Sequence, residues 1–481
     1  MKTTSRLTLS ATAWAALATA FAAATLAQTA AAAPPALPRE LPPFGADRPL
    51  PAPKIVRQRL PNGLEVWVVP RNGLPRVDAV LAVREAGFSA DGAPRAGFAA
   101  LLAALLTEGT TQRDARTLAQ DVQALGGALT ASATADGITL TAQALASKAL
   151  PLLNLLAEVA RRPAFTDNEV KLAKANALEA LKAAGATPGF RAEGAITRAV
   201  YGDHAYAHAQ PTAPAIEATT PAALHTAHGQ RFRPENSLLV IAGRIEPARA
   251  MQLAQDAFGD WQGTGAAPPA PPAASRSAAP ARLLLERPGS VQATVRLGRP
   301  GIPATDPDYL PLRVASGVLG DGFSSRVNLN LREEKGYTYG ASARSRAALH
   351  GGAIVGGADV RNEVTGAALK EFDAEYRRIG SEPVPAQELR ETQRYLTGSF
   401  VVRNQAQGAF AATLASNWLV GQPASFLADY VQQVNRVTAA QVQAMGQKYF
   451  APETQSIVVV GDKAAVAEQL KAWGDFKTLA K

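Results

Sequence analysis

The sequence predicts an α+β protein made of two tandem, homologous domains, each a β-sheet with helices packed on it. Three observations carry this expectation. The chain has 481 residues, whereas single hydrophobic cores stop growing near ~250–300 residues. Its halves end alike: FRPENSLLVIAGRIEPARAMQLAQDAFGDW in one and FAPETQSIVVVGDKAAVAEQLKAWGDF in the other. Between them lies GTGAAPPAPPAASRSAAPA, a stretch of Gly, Ala, Pro and Ser that cannot bury enough apolar surface to offset its ordering entropy. The expected domains are residues 54–262 and 282–481, with 263–281 as linker.

The two endings repeat an order of signals. Pro234 and Pro452 stop a helix, Ser237–Ala242 and Ser456–Val460 read as apolar strands, and Gly243 and Gly461 end them. An amphipathic helix then runs to an aromatic residue after Gly-Asp, Trp261 or Phe476. A shared sequence of breaker, strand, Gly and helix indicates duplication.

From the amino terminus, Lys2 and Arg6 precede an apolar run from Leu9 to Leu26 and a small-residue stretch to Ala33. This reads as an export signal over residues 1–33, with a single membrane anchor as the alternative; the Ala-rich run is short of the ~20 strongly apolar residues a span requires. A signal implies a periplasmic protein with no membrane segment after cleavage. Residues 34–53 are Pro-rich and read as an extended leader. Leu64–Val68 and Ala79–Arg84 follow the alternation of strands. Gly97–Leu106 reads as a helix apolar almost all round, hence buried. Thr117–Leu125 reads as an amphipathic helix halted by Gly126 and Gly127, and 129–142 as a strand pair turning at Asp136-Gly137. Residues 147–161 and 167–184 read as helices. In the second half, helix Tyr309–Leu319, a Gly turn and helix Ser325–Glu333 precede a strand starting near Tyr337. Sheets with intervening helices make the class α+β.

Composition excludes several functions. The chain has no Cys, which rules out disulfides, a cysteine nucleophile and thiolate metal sites. The formal charge of +9 is spread along the chain without a dense basic block, so no nucleic-acid partner is expected. There is no G-x-S-x-G elbow.

The segment from Gly97 to Thr110 reads GFAALLAALLTEGT. It resembles the first domain of the pitrilysin/insulinase zinc peptidases, which include the mitochondrial processing peptidase, where an inverted zinc motif HxxEH lies in a segment like GLAHLLEHMLFKGT. The flanking Gly, Ala, Leu and Gly-Thr positions match. Ala100 and Ala104 stand where the metal-binding His residues belong, and Ala103 where the catalytic Glu belongs. Zinc catalysis requires imidazole or carboxylate ligands and an acid–base group beside bound water, and three alanines supply none. None of the five His residues (His204, His208, His225, His228, His350) has a Glu three positions on, so the motif has not moved. Glu179, near the family's third ligand position, reads as a surface helix residue. His204 and His208 have an i,i+4 spacing that could suit a metal, but sit in a loop-like YGDHAYAHAQP segment that the family uses structurally.

In the second half, Gly320–Gly340 reads GDGFSSRVNLNLREEKGYTYG. It is similar to the family segment in which an Arg, and a Tyr seven residues later, face the zinc site across the catalytic chamber. Arg332 and Tyr339 have that separation, with Arg332 at a helix end and Tyr339 at a strand start. The resemblance implies that they bind substrate backbone and stabilise an oxyanion. Read without it, they are a helix C-terminal cation and a half-buried strand aromatic.

The resemblance spans about residues 60–476. It implies a fold like that of the processing peptidases and a zinc-less subunit that completes the site of an HxxEH-bearing homologue. Zinc would then sit on the partner, this chain would hold no metal, and peptide or unfolded protein would be the substrate. A non-enzymatic peptide-binding or scaffold protein of the same fold is the alternative.

Overall fold

In a computed structural model, the structure describes residues 54–479 apart from positions 268 and 277. The expected signal and leader lie outside the described residues. The first sheet is built from β1 (Val56–Arg59), β2 (Glu65–Pro70), β3 (Arg76–Arg84), β4 (Ala128–Ala133), β5 (Gly137–Leu145) and β6 (Ser237–Gly243), in the order β1-β2-β6-β3-β5-β4. The second is built from β7 (Arg282–Glu286), β8 (Gln292–Pro300), β9 (Ala341–Ala347), β10 (Gly352–Arg361), β11 (Ser456–Gly461) and β12 (Lys477–Leu479), in the order β12-β7-β11-β8-β10-β9. Apart from the edge strands β1 and β12, the two orders are the same. In each half the last strand of the repeated ending, β6 or β11, runs parallel to the first strand (β2 or β7) and antiparallel to the second (β3 or β8). The duplication read from the two endings is thus a duplication of topology.

β6 and β11 are buried along their whole length. That matches their unbroken apolar runs, because a strand covered on both faces has no reason to alternate. One face of the first sheet carries helices Phe98–Leu106, Ala149–Arg161 and Pro247–Phe258, and the corresponding face of the second carries Tyr309–Leu319, Thr365–Ser381 and Ala439–Tyr449. The opposite faces are covered by exchange. Helix Gln407–Leu419, from the second half, lays Phe410, Leu414 and Trp418 on Trp67, Val80 and Val240 of the first sheet. Helix Pro188–Tyr201, from the first half, lays Ala192, Ile196 and Val200 on Val355, Val458 and Val460 of the second. Each half therefore supplies the cover that the other's sheet requires. Polar contacts fix the exchange. The Gln407 amide donates to Asp78 (2.6 Å) and to the Ala242 carbonyl (3.1 Å), and the Arg84 guanidinium stacks 3.9 Å over the Trp418 indole.

The described residues of 263–281 form no helix or strand, but they are tied to the body. The Pro272 carbonyl accepts from His204 Nε2 at 2.8 Å, the buried Ala274 donates its N–H to the His350 carbonyl at 2.7 Å, and Arg276 pairs with Asp306 at 2.9 Å. Among the described residues no helix is long and apolar enough to cross a membrane.

Candidate functional site

The segment that resembles the zinc motif is a helix, Phe98–Leu106, and its start is fixed by three features. Gly97 has φ of 95°, in the left-handed region, and a Cβ there would lie 2.5 Å from Pro211, so only glycine fits. Asp91 caps the first turn by accepting the Ala99 N–H at 2.8 Å. Arg231, as buried as Asp91, locks that carboxylate at 2.9 Å and donates to the Ala86 and Ala90 carbonyls. Beyond the helix, Gly109 has φ of 113°, and the Thr110 hydroxyl accepts the N–H groups of Gln112 (3.1 Å) and Arg113 (3.0 Å) while donating to Glu158. The retained Gly-Thr is thus a structural turn.

The expectation that this helix is buried on every side fails along one stripe. Phe98, Leu102, Ala103, Leu105 and Leu106 enter the first core, but Ala100 and Ala104 are exposed. They face a pocket of about 550 Å³ whose far wall is one face of helix Asp167–Gly185, including Leu172, Ala177 and Ala180. Small side chains on both helices leave the space open, and alanines here cannot fill it as leucines would. Two carboxylates, Glu108 and Glu169, stand at its lining. Desolvation, and then the charge of Glu169, push the Glu108 carboxyl above its usual range. Glu179 is exposed and does not line the pocket.

These residues do not fit a zinc ion. Two of the three motif positions open onto the pocket as methyl groups, the third is packed in the core, and the two lining carboxylates have no imidazole beside them. Among the described residues no group of three His, Asp or Glu side chains is arranged to hold a metal. Three of the five histidines are engaged elsewhere. His204 Nε2 contacts the Pro272 carbonyl and its Nδ1 accepts the Tyr206 N–H at 3.1 Å, so both ring nitrogens are used. His225 and His228 lie on helix Pro221–Arg231 and pack edge-on against Phe165. His228 also donates to the Ala160 carbonyl at 2.8 Å, and burial lowers its pKa to about 4.

Arg332 and Tyr339 lie on one hook of chain. Helix Arg326–Asn328 continues into a π-helical turn, Leu329–Glu334, closed by the Lys335 N–H on the Asn330 carbonyl at 3.0 Å. Gly336, with φ of 63°, reverses the chain. The buried Asn328 holds the two ends together: its Oδ1 accepts the Ala341 N–H at 3.1 Å and its Nδ2 donates to the Phe323 carbonyl at 2.7 Å. Tyr339 does not begin the strand as expected. It stands in the loop before β9, because the Thr338 hydroxyl bonds the Gly340 and Asp359 carbonyls and holds this segment off the ladder. Tyr339 is 91% exposed, and its side chain makes no hydrogen bond with any described residue. Arg332 stacks 4.5 Å over the exposed Phe323 ring and pairs with Glu333 at 3.2 Å. No hydrogen bond or ring contact joins Arg332 to Tyr339, and neither lines the pocket at Ala100.

Sequence reasoning missed Asp91, Arg231, Asn328 and the Glu108–Glu169 pair. Each acts across a fold contact that has no fixed spacing, so no motif could flag it.

Comparison with known proteins agrees with this picture. Residues 75–210 match the family model "Insulinase (Peptidase family M16)", and residues 218–396 match "Peptidase M16 inactive domain". An uncharacterized zinc protease of Mycobacterium leprae is 24% identical over 399 residues, covering 82% of this chain and 89% of that protein. The uncharacterized zinc protease YmxG of Bacillus subtilis is 22% identical over 361 residues, covering 74% of this chain and 86% of that one. Among solved structures, a peptidase M16 inactive domain from Pseudomonas fluorescens superposes with a TM-score of 0.80 at 26% identity, covering 86% of this chain and 99% of that one. A protease from Helicobacter pylori has the same fold, with a TM-score of 0.80 at 19% identity over 85% of this chain and 100% of its own. The matched models, the duplicated sheets and the degenerate helix together show that the chain belongs to the pitrilysin/insulinase (M16) peptidase family, in a form that lacks the HxxEH motif.

Proposed function

We propose that this chain is the zinc-less partner subunit of a periplasmic heteromeric metallopeptidase, supplying Arg332 and Tyr339 to a site whose zinc is held by an HxxEH-bearing homologue. The observation that carries this reading is the hook at 326–341. A buried Asn328 and a left-handed Gly336 hold a partly exposed guanidinium and a solvent-exposed phenol on one hook, while the same chain's motif helix offers no ligand. Such donors suit an electrostatic role, because attack on a peptide carbonyl places negative charge on its oxygen. A planar guanidinium and a phenolic O–H can meet that charge without a metal of their own. The alternative, a peptide-binding scaffold, draws on the stacking of Arg332 over Phe323 and its pairing with Glu333, contacts that hold the side chain without any substrate.

The test is reconstitution with an exported HxxEH-bearing homologue. In the reconstituted complex Arg332→Ala or Tyr339→Phe is expected to lower peptide turnover about a hundredfold, the order of one lost oxyanion donor. Assembly should be unchanged and melting temperature little altered, since Tyr339 is exposed and Arg332 is partly exposed with only surface contacts to Phe323 and Glu333. Arg332→Lys should also be impaired, because an ammonium lacks the planar fork. Unchanged turnover with lowered melting temperature or pairing would leave the scaffold reading.

A further inference from the structure

We infer that a polar cleft at the β9 edge of the second sheet binds a compact phosphate anion carrying two or more charges. Helix Pro188–Tyr201 packs Ile196 and Val200 against β8 and β11 on this face. Toward β10 and β9 the same face turns polar. Along β9, Ala341 and Ala343 enter the second core, so Ser342, Arg344 and Arg346 point the other way, as strand alternation requires. They line a cleft of about 260 Å³ together with Arg296 of β8, Asp359 of β10 and Glu193 of the helix. Arg296 lies across Gly357, where a Cβ would come within 2.9 Å of the arginine Cδ, so the missing side chain gives the guanidinium its place on the floor. The volume falls below the ~300–1,000 Å³ of sites for drug-sized ligands and matches a compact anion.

Charge selects the occupant. The lining sets three guanidiniums against two carboxylates. Each guanidinium has an acid partner: Arg296 with Asp359 at 3.4 Å, Arg344 with Asp321 at 3.1 Å, and Arg346 with Glu193. The side chains of Arg344, Arg346 and Asp359 are all more than half exposed, and ion pairs so exposed are weak. A guanidinium has five donors, and one carboxylate on one edge leaves others for a ligand. A phosphate with two or more charges can accept from two guanidinium forks at once, in charge-assisted bonds that a monocarboxylate with a single charge cannot match. The cleft also adjoins the hook. Gly340, next to Tyr339, lines it, and the Thr338 hydroxyl that holds this loop donates to the Asp359 carbonyl. An anion drawing Arg296 and Arg344 together would therefore order residues 338–346. Occupancy requires no partner subunit and does not rest on the composite peptidase site.

The experiment is isothermal calorimetry of the purified protein alone, at constant ionic strength, with pyrophosphate, glycerol 3-phosphate and acetate. Both phosphates should bind and acetate should not. The tighter-binding phosphate distinguishes a free diphosphate from a phosphate ester as the ligand. Hydrogen exchange with pyrophosphate present should slow over residues 338–346. Arg344→Gln combined with Arg346→Gln should weaken pyrophosphate binding about tenfold or more, for two lost charge-assisted contacts. Ser342→Glu adds a carboxylate to the lining and should weaken it similarly; this variant decides if circular dichroism shows that the double variant fails to fold. Arg59→Gln combined with Lys471→Gln removes the same two charges from exposed positions elsewhere and should leave binding unchanged. The assigned site is overturned if neither phosphate binds, if acetate binds equally, if exchange slows only in other segments, if binding survives the lining variants, or if the Arg59 and Lys471 substitutions weaken it as much.

Discussion

Trp418→Ala tests whether the two halves are one folding unit. Trp418 belongs to the second half by sequence, yet it is buried on the first sheet, 6% exposed, beneath the Arg84 guanidinium. Truncating a buried Trp costs roughly 3–5 kcal/mol. Losing a partly desolvated cation–π stack adds about 1 kcal/mol. The sum, about 4–6 kcal/mol, is a large share of a typical ~5–15 kcal/mol of folding stability. If the exchanged helices join the halves, this loss is felt in the first half. Guanidinium denaturation should show one cooperative transition in the parent protein, moved to much lower denaturant in the variant. Hydrogen exchange should accelerate at β3 and β6, which lie under the exchanged helix. Ile196→Ala, on the other exchanged helix, should act the same way in reverse, loosening β8 and β11 by about 2–5 kcal/mol. Two separate transitions in the parent protein, or a Trp418→Ala effect confined to residues 282–479, would refute the reasoning.

The remaining predictions concern acid and the hook. Burial holds His228 neutral in the folded state, with a pKa of about 4 against an ordinary 6.5. Its folded pKa is the lower one, so the unfolded chain takes up a proton that the folded chain refuses as pH falls from 6.5 to about 4. Stability should therefore drop across that window by about 3 kcal/mol, with the loss complete below it and none above 6.5. Urea titrations at several pH values should show a shallower acid slope for His228→Gln than for the parent, and equal slopes would contradict this. Asn328→Ala should cost about 2–4 kcal/mol, because it leaves the Ala341 N–H and Phe323 carbonyl without their buried partner. It should also open the 335–340 segment to limited proteolysis; unchanged protease resistance there would mean that Asn328 does not hold the hook.

The pattern of the chain determined a good deal. The repeated order of proline, apolar run, glycine and amphipathic helix identified the duplication, because local breakers and hydrophobic periodicity are written residue by residue. The apolar runs of Ser237–Ala242 and Ser456–Val460 marked the strands that close each repeat. The three alanines settled the absence of zinc ligands in the motif, since side-chain chemistry at a matched position needs no coordinates. Only the tertiary structure decided which helix covers which sheet. Helices Pro188–Tyr201 and Gln407–Leu419 carry amphipathic or apolar patterns that specify a face to be buried but not its partner, and burial on either sheet would satisfy them equally. The same holds for the slot at Ala100 and Ala104. A helix apolar on all sides reads as buried, and it took the small residues of a helix some seventy positions away to leave one stripe uncovered. The placement of Tyr339 outside β9 likewise depended on the Thr338 hydroxyl reaching the Asp359 carbonyl of β10, a contact between loop and strand that no local pattern encodes.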